Sequence, residues 1–587
     1  MTRRSAVNRP LAALLAVLAC VVMVAGCAAI PTESQPKAIP QRNAGQPTQE
    51  IPEPELGLDP LSVVREFVRN GARTANDHAA SRAYLTARMQ ESWKPGSSVT
   101  VIRDEFGTVY APEAEQPKDP NERVVALRVT VLGRLASDHS FIADEQKPVR
   151  KPIRLRKQAD GEWRIVDPPD NIMIAESDFA DAYFKVSVYF FAPDSMALVP
   201  DVRYVVARPQ SGLPARVIDL LLSGPSDGLA GAVRNPLGDT ATLDSNVTTS
   251  NDGSLVVPLT GLGDESEQDR ELMAAQIVRS LQHVTTSRVK LLSDGAPLVP
   301  GQAEWRPSDL PAYDTVSSPS SELPGLLTLN GRVHSLGTGA PINGPAGNGT
   351  YDVVSAAQPI NGQQLAVVER AGQGVRLRVG DYGSAGQVVD QRAETMTRPT
   401  WRPPASTDGK STELWTVVDG TQVMRVQQNP AEQWVTQRVN AFELPDEGTI
   451  TGLRLSRDGT RAALIVDRQL VVASVVRTPT EVTLRAPRVL QEGRLDSVVD
   501  VDWLDQDTLV VALSSERVPV VRVSVDGFQL DQYNSSNLMQ PMRAITAAPG
   551  RPIVVADRNG LWTVSEIGAV WRPHRQSTPG ALPFYPG

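Results

Sequence analysis

The chain has few of the residues with which proteins build disulfides and metal sites. Its 587 residues include two cysteines and five histidines, and aromatic residues make up 5% of the composition. Both cysteines lie within the first 27 residues, so no disulfide can form within the domains that follow. The histidines lack the short spacings typical of zinc ligands; they are His78, His139, His283, His334 and His574. The sequence therefore predicts no metal site and no cofactor.

Motifs that carry catalysis are also missing. There is no phosphate-binding loop and no Gly-x-Ser-x-Gly elbow, and no spacing singles out a pair of carboxylates for glycoside hydrolysis. The formal net charge is −9, and it becomes −12 without residues 1–26, which carry three arginines and no acid. This balance argues against binding to nucleic acid and against a polybasic membrane contact. We expect a protein that is not an enzyme, has no catalytic residues and does not bind nucleic acid.

No apolar run reaches the length of about 20 residues that a membrane-spanning helix needs. The run at 11–24 follows three arginines and ends in Val24-Ala25-Gly26-Cys27. A basic start, a short apolar run and small residues before a cut site are typical of a secretory signal peptide. The alternatives are a signal peptide with an incidental cysteine, or an N-terminal anchor. Cys20 lies inside the apolar run and is interpreted as a hydrophobic residue.

The end of this run resembles the lipobox of bacterial lipoproteins. The resemblance implies that residues 1–26 are a signal peptide cut between Gly26 and Cys27, and that Cys27 becomes an N-palmitoyl, S-diacylglycerol cysteine. Such a lipid group would hold the protein on the extracytoplasmic face of the cell membrane. Residues 27–54 contain six prolines among polar residues, which predicts an extended tether without a core of its own.

The rest of the chain is too long for one core, and about 3–4 domains are expected. Residues 55–185 start with helical spacing, in a helix opened by Asp59-Pro60 and a second helix around 79–93. Short strands follow, and Asp160-Gly161 predicts the turn of a hairpin. Helices before an antiparallel sheet indicate an α+β domain. This domain resembles the nuclear transport factor 2 (NTF2) type.

Residues 186–305 alternate strands with two amphipathic helices, which predicts an α/β domain. The order resembles the GerMN domain of spore germination proteins. The sequence stretches that carry this resemblance are Val188-Tyr189-Phe190, Leu198-Val199-Pro200, Leu221-Leu222-Ser223-Gly224-Pro225, Ile277-Val278-Arg279-Ser280-Leu281 and Asp294-Gly295.

Residues 315–587 lose helical spacing and alternate Val-rich strands with Asx-Gly turns. Units begin about every 45–50 residues, which predicts an all-β propeller of five or six blades. A pair of β-sandwiches is the alternative. The strands at 326–329 and 562–564 are expected to share one blade and close the ring. The turn pairs are Asn330-Gly331, Asn361-Gly362, Asp408-Gly409, Asp419-Gly420, Asp458-Gly459, Asp526-Gly527 and Asn559-Gly560.

Within the propeller we expect structural roles for the conspicuous side chains. Asp458 and its equivalents are expected to form turns, because an Asp side chain can accept bonds from its own loop and the following Gly takes a positive φ. Trp401, Trp503 and Trp562 are expected to pack between blades, and an aromatic ligand platform is the less favoured alternative.

The order of lipobox, tether, α+β domain, GerMN-like domain and propeller resembles the LpqB lipoprotein family of actinobacteria over essentially the full chain. The resemblance implies an accessory lipoprotein that binds the extracytoplasmic region of an MtrB-like sensor histidine kinase. It would modulate signalling of the MtrAB two-component type and thereby affect cell-envelope homeostasis and division. Cys27 is the one residue to which a family role carries over.

Two other functions stay open. A glycan- or solute-binding lipoprotein would need a concave pocket with a few convergent polar groups, in the propeller mouth or in a groove of the GerMN domain. A cell-wall hydrolase would need a carboxylate pair or a triad that converges in one pocket.

Overall fold

The computed structural model of the chain describes residues 52–310, 318–405, 409–445 and 448–587. The predicted cleavage and lipidation sites at Gly26 and Cys27, most of the tether, and Asp408 lie outside the described residues. Residues 52–587 form one compact unit. Among the residues that the structure describes, no helix is both long enough and apolar enough to cross a membrane.

The N-terminal domain packs short helices against a curved, mostly antiparallel sheet. Its helices are α1 (Pro60–Arg69), α2 (Ala75–Arg82), α3 (Ala87–Ser92) and α4 (Glu176–Ala182), with a 3₁₀ turn at Glu113–Glu115. Its strands are β1 (Val99–Ile102), β2 (Gly107–Tyr110), β3 (Glu122–Leu135), β4 (Phe141–Ala143), β5 (Pro148–Lys157), β6 (Trp163–Asp167) and β7 (Ile172–Ala175). The sheet order is β6-β5-β3-β1-β7, with β2 and β4 also paired to β3. The helix-then-sheet order is confirmed, and the NTF2-like assignment stays a prediction.

The first helix begins where the sequence indicates. The side chain of Asp59 accepts hydrogen bonds from the backbone N–H groups of Leu61, at 2.8 Å, and Ser62, at 3.2 Å. The predicted second helix at 79–93 is wrong as one element, because it is broken between α2 and α3. There Leu85 bridges to Ile165 of β6, so pairing with the sheet replaces helical hydrogen bonds.

The middle domain places two helices against a small mixed sheet. Its helices are α5 (Leu213–Leu222) and α6 (Glu267–Leu281), with 3₁₀ turns at Gln210–Gly212 and Pro307–Asp309. Its strands are β8 (Tyr183–Phe191), β9 (Leu198–Val206), β10 (Thr242–Leu243), β11 (Thr248–Thr249), β12 (Leu255–Thr260), β13 (Val289–Ser293), β14 (Ala296–Pro297) and β15 (Glu304–Trp305). Strands β8 and β9 form a separate long hairpin. Their apolar side chains share one core with α5 and α6.

The C-terminal part of the chain forms a propeller of six blades. Blade 1 holds β18–β21, blade 2 β22–β25, blade 3 β26–β29, blade 4 β30–β33 and blade 5 β34–β37, and blade 6 combines β38 with β16 and β17. A short helix, α7 (Pro345–Asn348), precedes blade 1. The strands are β16 (Leu326–Leu329), β17 (Arg332–Ser335), β18 (Val353–Ala357), β19 (Gln364–Ala371), β20 (Gly374–Asp381), β21 (Gln387–Ala393), β22 (Thr400–Trp401), β23 (Glu413–Val418), β24 (Gln422–Gln428), β25 (Trp434–Arg438), β26 (Ile450–Leu455), β27 (Arg461–Val466), β28 (Gln469–Arg477), β29 (Val482–Val489), β30 (Val498–Trp503), β31 (Thr508–Leu513), β32 (Val520–Ser524), β33 (Leu530–Gln532), β34 (Ala544–Thr546), β35 (Ile553–Ala556), β36 (Leu561–Val564), β37 (Arg572–Pro573) and β38 (Leu582–Phe584).

The ring closes through a strand that differs from the expected one. We expected 562–564 to share a blade with 326–329, but 562–564 lies in β36 of blade 5. The partner of β16 is β38, and Phe584 is opposite Leu326 in the register. The first and last strands of the propeller therefore share blade 6. The turn pair Asp419-Gly420 joins β23 to β24 with positive φ at both residues, as its sequence indicates.

Candidate functional site

The histidines do not converge on a catalytic or metal centre. Each ring makes a polar contact that is local or structural. The Nδ1 atoms of His78, His139 and His334 lie 3.2, 3.1 and 3.1 Å from the carbonyl oxygens of Gly71, Tyr204 and Gly339. His283 contacts Gln282, and His574 Nδ1 accepts from the backbone N–H of Gln576. Within residues 52–587, gaps excepted, no group of three or more His, Cys, Asp or Glu side chains is arranged to hold a metal ion.

Asp458 forms the turn that its sequence indicates. Its Oδ1 accepts from the hydroxyl of Ser456, at 2.6 Å, and from both the backbone N–H and the hydroxyl of Thr460, at 2.9 and 2.6 Å. The side chain is buried. These bonds close the loop between β26 and β27 and assign Asp458 a structural role.

The three tryptophans singled out by the sequence pack inside the propeller. Trp401 and Trp503 are fully buried, and their indole N–H groups donate to the carbonyl oxygens of Ala357 and Arg454, at 3.0 and 3.2 Å. Trp562 is half-buried against the core of blade 5. The carbonyl oxygens bonded by Trp401 and Trp503 belong to neighbouring blades, so these two rings tie blades together.

One buried arginine crosses the centre of the propeller. The guanidinium of Arg457, in the loop that ends β26, donates to the carbonyl oxygens of Trp503, Ala547 and Pro586, at 3.3, 2.6 and 3.0 Å. These acceptors belong to blade 4, blade 5 and the tail that follows blade 6. Next to them, Asp502 accepts from the backbone N–H of Ala547 at 3.2 Å. Arg457 therefore ties blade 3 to blades 4 and 5 and to the C-terminal tail.

An aromatic cluster joins the two N-terminal domains to the propeller. Phe528, in the loop between β32 and β33, lies 5.0 Å from Phe141, 5.2 Å from Phe179 and 5.6 Å from Tyr204, measured between ring centroids. Phe141 and Phe179 belong to the N-terminal domain, and Tyr204 belongs to β9. The apolar residues around them form one continuous core that includes side chains of blades 3 and 4.

Buried polar groups complete this junction. The hydroxyl of Tyr204 donates to Oδ2 of Asp526 at 2.8 Å. Burial, and then the adjacent Asp526 carboxylate, raise the pKa of Tyr204 well above its usual value. On β9, Arg203 donates to Oδ2 of Asp201 at 2.6 Å, and both side chains are almost fully buried. The Tyr204–Asp526 bond links the middle domain to the propeller, whereas Asp201 and Arg203 both lie on β9 and their ion pair is internal to the middle domain.

A cavity of about 60 Å³ lies within the junction. It is enclosed by all three domains, and Arg461, Arg488, Asp201 and Asp526 supply the charged groups of its lining. A polar space of this size has room for a few ordered waters and is too small for a sugar or a peptide.

The junction occupies one half of the propeller ring. The bonds that join residues 52–310 to the propeller come from consecutive blades 2, 3 and 4. They are Arg402–Asp194 at 2.8 Å, Arg461–Pro200 O at 2.5 Å, Arg488–Phe141 O at 3.3 Å, Gln146–Gln491 at 3.1 Å, Gln506–Leu198 O at 2.9 Å, Asp507–Lys185 at 3.2 Å, Asp526–Tyr204 at 2.8 Å and a bond from Ser474 to Gly228 O.

Blades 5, 6 and 1 make up the other half. Within the described ranges, no hydrogen bond or ion pair links their strands to residues 52–310. Exposed apolar side chains on this half are Tyr382 and Val388 in blade 1 and Val570 in blade 5, and the other half also has exposed apolar residues in Val435 of blade 2 and Phe442 after it. Met539, in the connection that leads into blade 5, is 57% exposed. This half of the ring is therefore accessible to a partner.

A pocket of about 420 Å³ opens in the N-terminal domain. It is strongly polar, with carboxylates and arginines on its walls. Asp104 accepts from both the backbone N–H and the hydroxyl of Ser177, at 2.9 and 2.8 Å, so it caps helix α4. Burial, followed by the nearby Asp104, raises the pKa of Asp178. The lining residues are Glu66, Arg69, Asn70, Arg73, Asp104, Phe106, Ala175, Ser177 and Asp178.

The sequence did not indicate the junction. Phe528 and Asp526 lie in a stretch that we interpreted only as a turn, Asp526-Gly527. The one available signal was a Phe directly after an Asx-Gly pair, where a polar residue is usual in a solvated loop.

Comparisons with known proteins agree with this architecture. The family model described as "Lipoprotein LpqB, N-terminal domain" matches residues 53–180, "Sporulation and spore germination" matches 187–299, and "Lipoprotein LpqB beta-propeller domain" matches 331–586. Among solved structures, a putative 6-phosphogluconolactonase from Bacteroides uniformis is 14% identical with a TM-score of 0.29, covering 39% of this chain and 71% of that chain. That similarity is too low to support any inference.

Curated relatives match along nearly the whole chain. Lipoprotein LpqB of Rhodococcus jostii is 31% identical over 97% of this chain and 97% of its own length. Lipoprotein LpqB of Mycobacterium tuberculosis is 31% identical over 96% of this chain and 97% of its own length. The chain therefore belongs to the LpqB family of lipoproteins.

Proposed function

We propose that this protein is an extracytoplasmic lipoprotein that binds an MtrB-like sensor histidine kinase and modulates its signalling in cell-envelope homeostasis and division. In this proposal the signal peptide of residues 1–26 is cut between Gly26 and Cys27. The lipid on Cys27 and the tether of residues 27–54 then hold three domains, residues 55–185, 186–305 and 315–587, at the membrane.

The observation that carries the proposal is the division of the propeller ring. Blades 2–4 are fixed to the N-terminal domains, while blades 5, 6 and 1 make no hydrogen bond or ion pair to residues 52–310 within the described ranges and keep Tyr382, Val388 and Val570 exposed. An accessible half-ring of three blades offers a broad surface, which suits a protein partner better than a small solute. Anchoring to the membrane of the kinase would raise the effective concentration of a weak interface.

Regulation requires more than binding. The lipoprotein can shift the kinase between signalling states only if it has different affinities for those states. A rigid unit meets this condition more readily than a flexible one, because it fits one arrangement of the partner and excludes others.

The test is site-specific photo-crosslinking in cells, with the probe at Tyr382, Val388 or Met539, and at Tyr110 of the N-terminal domain as an exposed control. We expect crosslinks to the kinase ectodomain from blades 5, 6 and 1 and few from Tyr110. The same probes in a Cys27→Ala background should give weaker crosslinks. Absence of kinase crosslinks from all three propeller positions, in cells that display the anchored protein, would refute the proposal.

A second function is favoured by the polar pocket of the N-terminal domain. Its arginines and carboxylates suit a ligand with groups of both charges, such as a cell-wall peptide fragment. Thermal stabilisation by such fragments, lost in Arg73→Gln, would support a solute-binding lipoprotein, and equal melting temperatures with and without fragments would count against it.

A further inference from the structure

Strand β5 is strongly basic in an otherwise acidic protein. Residues 147–157 contain six Lys or Arg residues and no acid, whereas the whole chain has a formal net charge of −9. Along the strand, Arg150, Arg154 and Arg156 alternate with the buried side chains of Ile153 and Leu155. Since alternate residues of a strand point to the same side, these arginines share the exposed face of the sheet.

Neighbouring strands add to this face. In the register, Arg128 of β3 is opposite Arg150, and Arg164 of β6 is opposite Arg156. Directly opposite residues lie on one face of the sheet. We call the face formed by Arg128, Arg150, Arg154, Arg156 and Arg164 the basic face. The exposed Lys157 ends the strand beside it, with its side chain on the opposite side by the same alternation.

Acidic side chains neutralise only part of the basic face. Arg150 pairs with Glu115 at 2.6 Å, and Arg156 donates to Glu122 at 3.0 Å.

Arg164 lies 3.9 Å from Glu162, and the remaining cations lack such partners. Arg128, Arg154 and Lys157 are exposed and form no ion pair within the described ranges, although Asp167 is opposite Arg154 in the register. Three cations are therefore free to bind an external anion.

The basic face lies where the chain enters the folded unit. The backbone N–H of Gly57 donates to both carboxylate oxygens of Glu162, at 3.0 and 3.1 Å, next to the first residue of β6. The adjacent Leu56 is 86% exposed. Glu162 is also 3.9 Å from Arg164, so Leu56 adds an exposed apolar side chain at this edge of the basic face, as on proteins that rest on membrane surfaces.

We propose that the basic face is a docking surface for the anionic phospholipid headgroups of the membrane. The proposal rests on the proposed function in one respect, since a tether on Cys27 would keep the face near the bilayer. The net negative charge of the chain does not prevent this docking. Salt screens charges that are more than about 10 Å apart, and the acidic residues in excess lie outside the basic face. Docking would fix the orientation of the propeller relative to the membrane. It would thereby restrict the directions from which a partner can reach blades 5, 6 and 1.

The test is co-sedimentation of residues 28–587, without the lipid, with two kinds of vesicle. One kind contains equal parts of phosphatidylglycerol and phosphatidylcholine, and the other contains phosphatidylcholine alone. Each basic residue at an anionic surface contributes about a fivefold factor to binding. We expect Arg128→Gln/Arg154→Gln/Lys157→Gln to weaken binding to phosphatidylglycerol vesicles about a hundredfold.

The matched control removes the same charge from the propeller, as Arg517→Gln/Arg558→Gln/Arg575→Gln, at three exposed positions. We expect this variant to bind vesicles within about twofold of the unchanged protein, since the removed charges lie outside the basic face. Equal loss in both triple variants would overturn the proposal, and so would binding that does not depend on phosphatidylglycerol. A kinase pull-down with Arg128→Gln/Arg154→Gln/Lys157→Gln separates the two proposals, because loss of vesicle binding should leave kinase association in solution intact.

Discussion

Buried carboxylates of the propeller differ in their surroundings, and their pKa values shift in opposite directions. Burial alone would raise the pKa of Glu413, but the Arg477 guanidinium, at 2.7 Å, outweighs it and the pKa is lowered. The contribution of Glu413 to stability is therefore present at neutral pH and is lost as the pH falls through the lowered pKa.

The pKa of Asp505 shifts in the opposite direction. Burial, and then the Asp507 carboxylate, raise its pKa to about 6.

Asp505→Asn should stabilise the protein at pH 7. An Asp whose folded pKa exceeds its unfolded value holds a proton more tightly when folded, so it lowers stability as the pH rises from about 4 to about 6. Removing the charge should raise the free energy of unfolding by about 2 kcal/mol at pH 7 and leave it nearly unchanged at pH 4. Urea unfolding at the two pH values measures the difference. An equal effect at both would show that folding does not raise the pKa of Asp505.

At the scale of elements, the sequence predicted best where burial alternates strongly. In blade 3 the apolar residues of the sequence predict strands at 450–455, 461–466 and 470–475, and these agree with β26, β27 and most of β28. The fourth strand, β29, escaped notice because it is half-exposed, carries several polar residues and contains Pro487. An outer strand faces solvent, so its side chains do not show the buried pattern that the inner strands need.

Predictions failed where distant residues decide the local structure. The break in the helix at 79–93 depends on Ile165, about 80 residues later in the sequence, through its bridge to Leu85. Ring closure depends on which late strand reaches β16, and both 562–564 and 582–584 have apolar residues suited to a strand. The junction around Phe528 likewise depends on the meeting of three domains. Local periodicity contains no information about such contacts.

Closure of the ring through β38 predicts a large effect for a single residue near the C-terminus. Phe584 is buried and packs with Leu326 and Val333 in the core of blade 6. Phe584→Ala should lower the free energy of unfolding by about 3–5 kcal/mol, because it leaves a cavity at the joint of the ring. The matched control Val570→Ala removes an exposed side chain and should change it by less than about 0.5 kcal/mol. Similar melting temperatures for the two variants would contradict a closing role for β38.

At the scale of the whole molecule, three domains share apolar cores and buried polar contacts. Phe141 and Phe179 of the N-terminal domain, Tyr204 of the middle domain and Phe528 of the propeller belong to one cluster. Interfaces between domains of one chain are usually smaller and more polar, and they allow relative motion. The continuous core at this junction favours a single rigid body, which a regulatory contact with a second membrane protein would exploit.

The decisive residue for this rigidity is Phe528, since its ring alone comes from the propeller side of the aromatic cluster. Phe528→Ala should lower the free energy of unfolding by about 2–4 kcal/mol and weaken the coupling between the propeller and the other two domains. We expect calorimetry to give one thermal transition for the unchanged protein and two for this variant, because each part keeps its own core. Phe442→Ala removes a ring that is 69% exposed and should leave the single transition in place. If Phe528→Ala also melts in one transition at an unchanged temperature, the junction does not couple the domains, and blades 5, 6 and 1 would not be held in a fixed orientation.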